Sequence, residues 1–591
     1  MADLDLLIEG GMLIDGTGAA PRAANVGVTD GRIAYIGDQR PAAKKHIDAA
    51  GKVVAPGFID THTHYDAQIT WDPWLRPHSQ HGVTTYIAGN CGFTLAPVTP
   101  ASLAYLIPML AKVEGIPHET LVEGAAITWN TTGEMLHALD GKVGVNIGFM
   151  TGHSTLRAHV MGDRARSDDV TRADIDAMKA LLVQSLEEGS LGFSSSHIET
   201  HVDHEAEDVP SLHSSRDELL ELMSVVKDFE GTMTGYVLTG KTPTEDDKAF
   251  MAEVSLASGR TYSWPLLVPG LMPPEVMKNK MSATDVGRRV GAEFRVQSPS
   301  CPVGVFINFK NGLGFDQMPG EWNGVYRRDL KGRIAAFSDP EFRRVLEADA
   351  LKIPDGQNGK FRANWGAYEV QSVKSEKNLP YVGRLVRDIA QEEGRNPFDV
   401  IMDIVVEDQL GTIFIPRDRT ADELTLWKGI VDCMRDDRTL WGGDDGGAHL
   451  DVLEAYSHGT RFLQKAVKEY GLMPLEEAIH HFTQVPAKFI GLKDRGVVAN
   501  GMHADLVVFD PDRVAALPVE MRDDFPAKGE RLYTGAAGFD YVIVNGRPII
   551  SEGEYTFDRP GAVLRARKDT YTVDISKGAD VTTSAPRLAA E

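Results

Sequence analysis

Two kinds of hydrophobic spacing alternate along this chain. In the first 55 residues, LLIEGGMLIDG, NVGVTDGRIAYIGD and HIDAAGKVVAP are short β-rich runs broken by Gly and Asp. That pattern predicts strands joined by tight turns, and the Asp-Gly of TDGRI is a hairpin signal. From residue 56 onward, short apolar runs alternate with helical spacing. The candidate strands are VVAPGFID, TTYIAGN, VGVNIGFMTG, LGFSSS, GTMTGYVLT, TYSWPLLV, EFRVQSPS and LWGGDD. Amphipathic stretches such as RADIDAMKALLVQSLEEG and SRDELLELMSVVKDFEG lie between them. Repeated strand–helix units predict a parallel sheet, and eight of them predict an α/β fold of the (β/α)8 TIM-barrel type.

Two regions, 265–290 and 300–435, stretch that rhythm and read as insertions. In the second, LPYVGRLVRDIAQEEGRNPFDVIMDIVVEDQ predicts two helices. Insertions after barrel strands commonly build a substrate pocket. Beyond residue 488 the β texture returns in DRGVVANGMHADLVVFD and GFDYVIVNGRPIISEGEY. The expected organisation is therefore a barrel over 56–488 and one small β-sandwich assembled from 1–55 and 489–560. Residues 561–591 read as an arm or frayed tail.

Composition narrows the function. The 591 residues carry a net charge of −24, which disfavours nucleic acid as a partner. Three cysteines over this length make no disulfide framework. The start, MADLDLLIEGG, lacks a signal-peptide pattern, and no run of 18 apolar residues occurs, so a cytoplasmic protein without a membrane span is expected. A homo-oligomer is compatible with everything in the sequence.

The candidate chemistry falls after predicted strands. In PGFIDTHTHYD, His62 and His64 are one residue apart, so on a strand both imidazoles point the same way. Imidazole is a preferred zinc ligand. GGDDGGAH offers Asp444, Asp445 and His449 among glycines that let a carboxylate approach a ligand. GNCGF offers Cys91, a soft ligand as thiolate but equally a small core side chain, next to Asn90. TGHSTLR offers His153 to donate a proton or position substrate, and Arg157 to grip a carboxylate.

Taken together, PGFIDTHTHYD, GNCGF, TGHSTLR, LGFSSS, GGDDGGAH and NGMHADLVVFD resemble the amidohydrolase superfamily, in the branch of the D-aminoacylases or N-acyl-D-amino-acid deacylases. The resemblance implies a zinc-dependent hydrolase with His62, His64, Cys91 and Asp445 as metal ligands. Asp445 is preferred over Asp444 because the family pattern is Asp-Gly followed by a histidine. Two further family histidines, on strands 5 and 6, are missing. Tyr236 stands near one position, and TYSWPLLV has no histidine at the other. The histidines at 197, 201, 204 and 213 read as a solvated loop. One dominant Zn2+ is therefore expected, with a second weak or absent.

The family arginine is also missing, leaving Arg157, Arg295 or Lys310 as carboxylate receptors, with His449 and Asn90 at the substrate. The Trp and Phe residues of WPLL, FINF and GEWNGV suggest an apolar pocket. The expected reaction is hydrolysis of the C–N bond of a small amide, an N-acyl (D-)amino acid or related compound. Asp445 would move the proton, while His153 or Tyr236 stabilised the oxyanion. A cyclic amide, lactone or ester substrate is the alternative within the same chemistry. A degenerate ligand-binding scaffold is the alternative outside it.

Overall fold

The computed structural model describes residues 4–582 apart from 271, 311–313, 317, 355–359, 418–421, 443 and 455. Eight parallel strands form the barrel: β1 Phe58–Asp60, β2 Val83–Ala88, β3 Asn146–Phe149, β4 Gly192–Ser196, β5 Met233–Val237, β6 Tyr262–Trp264, β7 Phe294–Ser298 and β8 Thr439–Trp441. Each pairs with the next, β3 through its continuation Thr151–Gly152. The ring closes just past the strand ends, where the His64 N–H donates to the Gly446 carbonyl at 2.8 Å and Thr63 bridges Gly446. The expected (β/α)8 fold is present.

Helices follow from the predicted spacing and from their caps. Thr171 caps Arg172–Glu187 by accepting from the Asp174 N–H, and Ser215 caps Arg216–Val226 through the Glu218 N–H. Their apolar faces, with Leu182, Leu186, Leu222 and Val226, pack on outward residues of β4 and β5 such as Phe193 and Tyr236.

The chain ends meet in two sheets. One is local to the N-terminus, in the order Arg32–Gly37, Asn25–Thr29, Leu4–Glu9, Ala43–Asp48. Its first hairpin turns at Asp30-Gly31, both with positive φ (50° and 75°), as the Asp-Gly signal requires. The other sheet places Val53–Pro56 antiparallel to Leu506–Phe509. Leu6, Ile8, Val26, Val54, Leu506 and Ile543 fill the space between them.

The insertions differ from the sequence reading. Pro274–Arg289 is the helix joining β6 to β7, so only the preceding loop is additional. Glu423–Arg435 is likewise a barrel helix, packed through Trp427, Ile430 and Val431. Between them, residues 305–416 build a core of their own around Phe309, Phe315, Trp322, Trp365 and Phe398. It contains the two predicted helices, Val386–Glu393 and Pro397–Glu407. The C-terminal segment is not a free tail over its described part. Val563–Leu564 pairs with β3, and Leu564 and Val573 join Ile59, Met233 and Phe489 in one apolar cluster. These buried apolar side chains hold it there. Residues 583–591 lie outside the described residues.

Candidate metal centre and cavity

The ends of β1, β2 and β8 bring His62, His64, Cys91 and Asp445 together. Asp445 Oδ1 stands 3.4 Å from His62 Nε2 and 3.6 Å from His64 Nε2. Cys91 Sγ stands 3.4 Å from His62 Nε2. Ligand atoms of His62, His64 and Cys91 all lie within 4.8 Å of one another. A tetrahedral zinc with bonds of about 2.0–2.3 Å needs donors about 3.3–3.8 Å apart, so this set fits the ion.

The backbone is bent to make that convergence. Cys91, Asp445 and His449 have φ of 54°, 52° and 48°, conformations that non-glycine residues rarely adopt and that concentrate at functional sites. Gly447 permits the approach of the β8 loop to β1: a Cβ there would sit 2.8 Å from the His64 carbonyl.

Electrostatics divide the ligands: burial would lower His64, but Glu114 and Asp445 hold it well above the usual imidazole range, so a metal there competes with a proton. Burial pushes His62 down to about 4, which keeps it neutral. Burial alone would raise Asp445, but the His64 hydrogen bond and the nearby histidines hold it below the usual carboxylate range. Burial pushes the Cys91 thiol up to about 11, so a cation is what would favour its thiolate. His64 Nδ1 lies 3.2 Å from Glu114 Oε1, an ion-pair contact short of hydrogen-bond alignment that puts a carboxylate where one commonly orients a metal-ligating imidazole. Glu114 carries no sequence motif and was missed; only the fold brings it to His64.

A cavity of 650 Å³ opens on this cluster. His64, Cys91, Glu114, His201, Asp445 and His449 form its floor. Its walls include Ile198, Val237, Leu266, Met272, Met318 and Ile353. His201 corrects the reading of a solvated loop. It is partly buried, and burial together with the surrounding histidines pushes it down to about 3. Its Nδ1 is 3.2 Å from the Ser196 hydroxyl. That hydroxyl also accepts the Ile198 N–H, and in the tautomer where it donates to Nδ1 the His201 proton is on Nε2. Lys280 was also missed. It lines the cavity from helix Pro274–Arg289 and is 2% exposed. Its ammonium sits 4.7 Å from the Trp264 ring centroid. Among the described residues it has no hydrogen-bond or ion-pair partner.

Several sequence candidates stand elsewhere. Arg157 is fully buried and spends its guanidinium on both Glu218 oxygens at 2.7 Å and on the Ala165 and Ser167 carbonyls. His153 bonds Ser195 at 2.8 Å and Glu218 at 3.0 Å, so both ring nitrogens are occupied. The pair braces β3 to helix Arg216–Val226 and does not line the cavity. Tyr236 points outward, its hydroxyl 2.9 Å from His197, while Gly235 faces inward toward Asn90 and Ser194. The parity of β5 decides this, because one step along a strand reverses the face.

Arg295 is paired with Glu293 at 2.9 Å and lies over Phe489, in the cluster with Val573. Lys310 pairs with Glu530 at 3.1 Å. Asn90 donates to the Ile87 and Thr63 carbonyls at 2.9 and 3.3 Å and shapes the Cys91 loop. His449 does reach the cavity, with its Nδ1 unpartnered. The aromatic residues Trp264, Phe306, Phe309 and Trp322 are core, and the cavity walls mix aliphatic side chains with Lys112, Lys280, Asp316, Lys352 and Arg362.

A (β/α)8 barrel with two imidazoles, a thiol and a carboxylate converging beyond its strands defines a metal-dependent hydrolase. The chain belongs to the amidohydrolase family, whose model matches residues 45–278 and 325–550. It is 28% identical to the D-aminoacylase of Alcaligenes xylosoxydans xylosoxydans over 565 residues, covering 95% of this chain and 97% of that one. It is also 28% identical to the N-acyl-D-glutamate deacylase of that organism, covering 95% and 96%. The structure of the N-acyl-D-glutamate deacylase of Bordetella bronchiseptica, complexed with zinc and a phosphonate inhibitor, superposes with a TM-score of 0.63 at 25% identity, over 95% of this chain and 100% of that one. The reaction class is hydrolysis of a carbon–nitrogen bond in an amide that is not a peptide. Among the described residues, no helix is long and apolar enough to cross a membrane.

Proposed function

We propose that this amidohydrolase removes the acyl group from an N-acyl amino acid, with one zinc in the cluster of His62, His64, Cys91 and Asp445. The observation that carries the substrate is Lys280, a buried and unpartnered ammonium on the cavity that the cluster opens into. Glu199 acts on this ammonium only through space, being bonded to Thr239, Gly240 and Lys241, so Lys280 has no direct partner and a substrate carboxylate supplies one. Lys280 thus takes the place of the missing family arginine. The inward positions of β5, Gly235 and Val237, are small or aliphatic and leave room for an acyl chain.

Zinc, when bound, supplies Lewis acidity and an activated water. Asp445, held ionised between two imidazoles, accepts the proton from the attacking water and returns it to the leaving nitrogen. His201 lines the cavity and, in the tautomer that carries its proton on Nε2, donates to the oxygen that gains charge. Glu114 holds the His64 ring. The C–N bond breaks, and the products are a carboxylate and a free amino acid.

The test is kcat/KM across N-acyl derivatives of D- and L-amino acids, matched N-acyl amines without a carboxylate, and lactones. The reading requires the carboxylated amides to be the best substrates. A preference for neutral amides or lactones would overturn it.

A further inference from the structure

A second group of ligating side chains stands on the same two strand ends, outside the cavity lining. Asp60 closes β1, two residues before His62, and Asp444 precedes Asp445 after β8. His78 comes from the short turn His78–His81. One ring nitrogen and one oxygen of each carboxylate lie within 4.8 Å of one another. The three residues are 0%, 1% and 1% exposed for Asp60, His78 and Asp444. None of them lines the cavity.

Each has one polar end anchored. Asp60 Oδ1 accepts the His62 N–H at 3.0 Å. His78 Nδ1 is 2.9 Å from the Tyr65 hydroxyl. Asp444 Oδ1 is hydrogen-bonded to His458 Nδ1. The other ends are left over. Asp60 Oδ2 and Asp444 Oδ2 are buried with no hydrogen-bond partner, and Asp60 Oδ2 is 3.6 Å from His78 Nε2. The His458 imidazole paired with Asp444 supplies at most one positive charge for two buried carboxylates, so their orphaned oxygens remain costly unless a cation sits between them. The loop is also shaped to press on this group, since a Cβ on Gly446 would lie 2.8 Å from His78 Nδ1.

We propose that Asp60, His78 and Asp444 form a second divalent-cation site, separate from the catalytic cluster. Its donors, two carboxylates and an imidazole, suit zinc or manganese. Tyr65 and His458 are the outer partners that fix the ligand orientations. The ion ties the end of β1 to the loop after β8, and so holds His62 and Asp445 at their mutual distance. This inference is independent of the substrate reading. It replaces the expectation of one dominant ion with two ions per chain in different sites.

The test uses the 591-residue chain, equilibrated with Zn2+ or Mn2+, desalted, and measured for metal by mass spectrometry. Wild type should retain two equivalents. His78→Asn should retain one, and a His64→Asn/Asp445→Asn double variant should also retain one. Wild type holding a single equivalent with either metal, or His78→Asn matching wild type, would overturn the proposal. If His78→Asn does not fold, crystals of metal-loaded wild type decide: an anomalous peak among Asp60, His78 and Asp444 supports the site, and none refutes it. A protein that holds both ions yet hydrolyses no amide would instead refute the functional reading and leave this site standing.

Discussion

Lys280→Met removes one charge from the cavity wall, the ammonium that lies over the Trp264 ring, and keeps an unbranched apolar side chain of similar length. A hydrogen bond to a charged partner contributes about 1.5–3 kcal/mol. At about 1.4 kcal/mol per tenfold, kcat/KM for N-acyl amino acids should fall about 10- to 150-fold, mostly in KM. The same change relieves a desolvated charge but also removes its contacts with the Trp264 ring and the Glu199 field, so Tm should change little. Steady-state kinetics on an N-acyl amino acid and its decarboxylated amine analogue separate specific from general damage. The analogue should be turned over as in wild type. Equal losses on both substrates, or no loss on either, would refute the assignment of Lys280 to the carboxylate.

Further outcomes follow from the same geometry. Burial lowers Lys280 to about 8, against an ordinary 10.5, so carboxylate binding is intact below about pH 8 and KM rises as the pH climbs through it. Lys280→Arg keeps the charge and should flatten that rise, as KM measured from pH 6.5 to 9.5 will show. Asp445→Asn should lower kcat by at least the 10²–10⁴-fold typical of a lost acid–base group, roughly, with unchanged circular dichroism. Tyr236→Phe should retain near-wild-type kcat, since its hydroxyl faces His197; a hundredfold loss would restore it to the reacting atoms. Glu218→Gln strands a buried Arg157 and should cost about 3–5 kcal/mol, read as a lowered midpoint of thermal inactivation. Glu114→Gln should weaken retained zinc roughly 10- to 100-fold in a chelator competition.

The barrel was legible because its signals are local. Apolar runs recur at all eight strands, and helical spacing with capping residues follows most of them, although only short turns join β1 to β2. His62 and His64 were legible for the same reason, since two residues apart on a strand means one face. Asp445 and Cys91 required the resemblance to place them, but their glycine-rich turns had already marked strand ends. Roles that depend on where a side chain points were not legible. Tyr236 is one step out of phase with the cavity. Arg157 and His153 follow a strand end as the pattern predicts, yet Glu218, 61 residues from Arg157, has claimed them. Glu114, His201 and Lys280 come from a helix end, a loop and a helix that no local pattern ties to His64. They meet only because closing the barrel brings those segments over one mouth. Local periodicity thus determined the elements and the metal pair, while long-range packing decided which charges were satisfied and which were left facing the cavity.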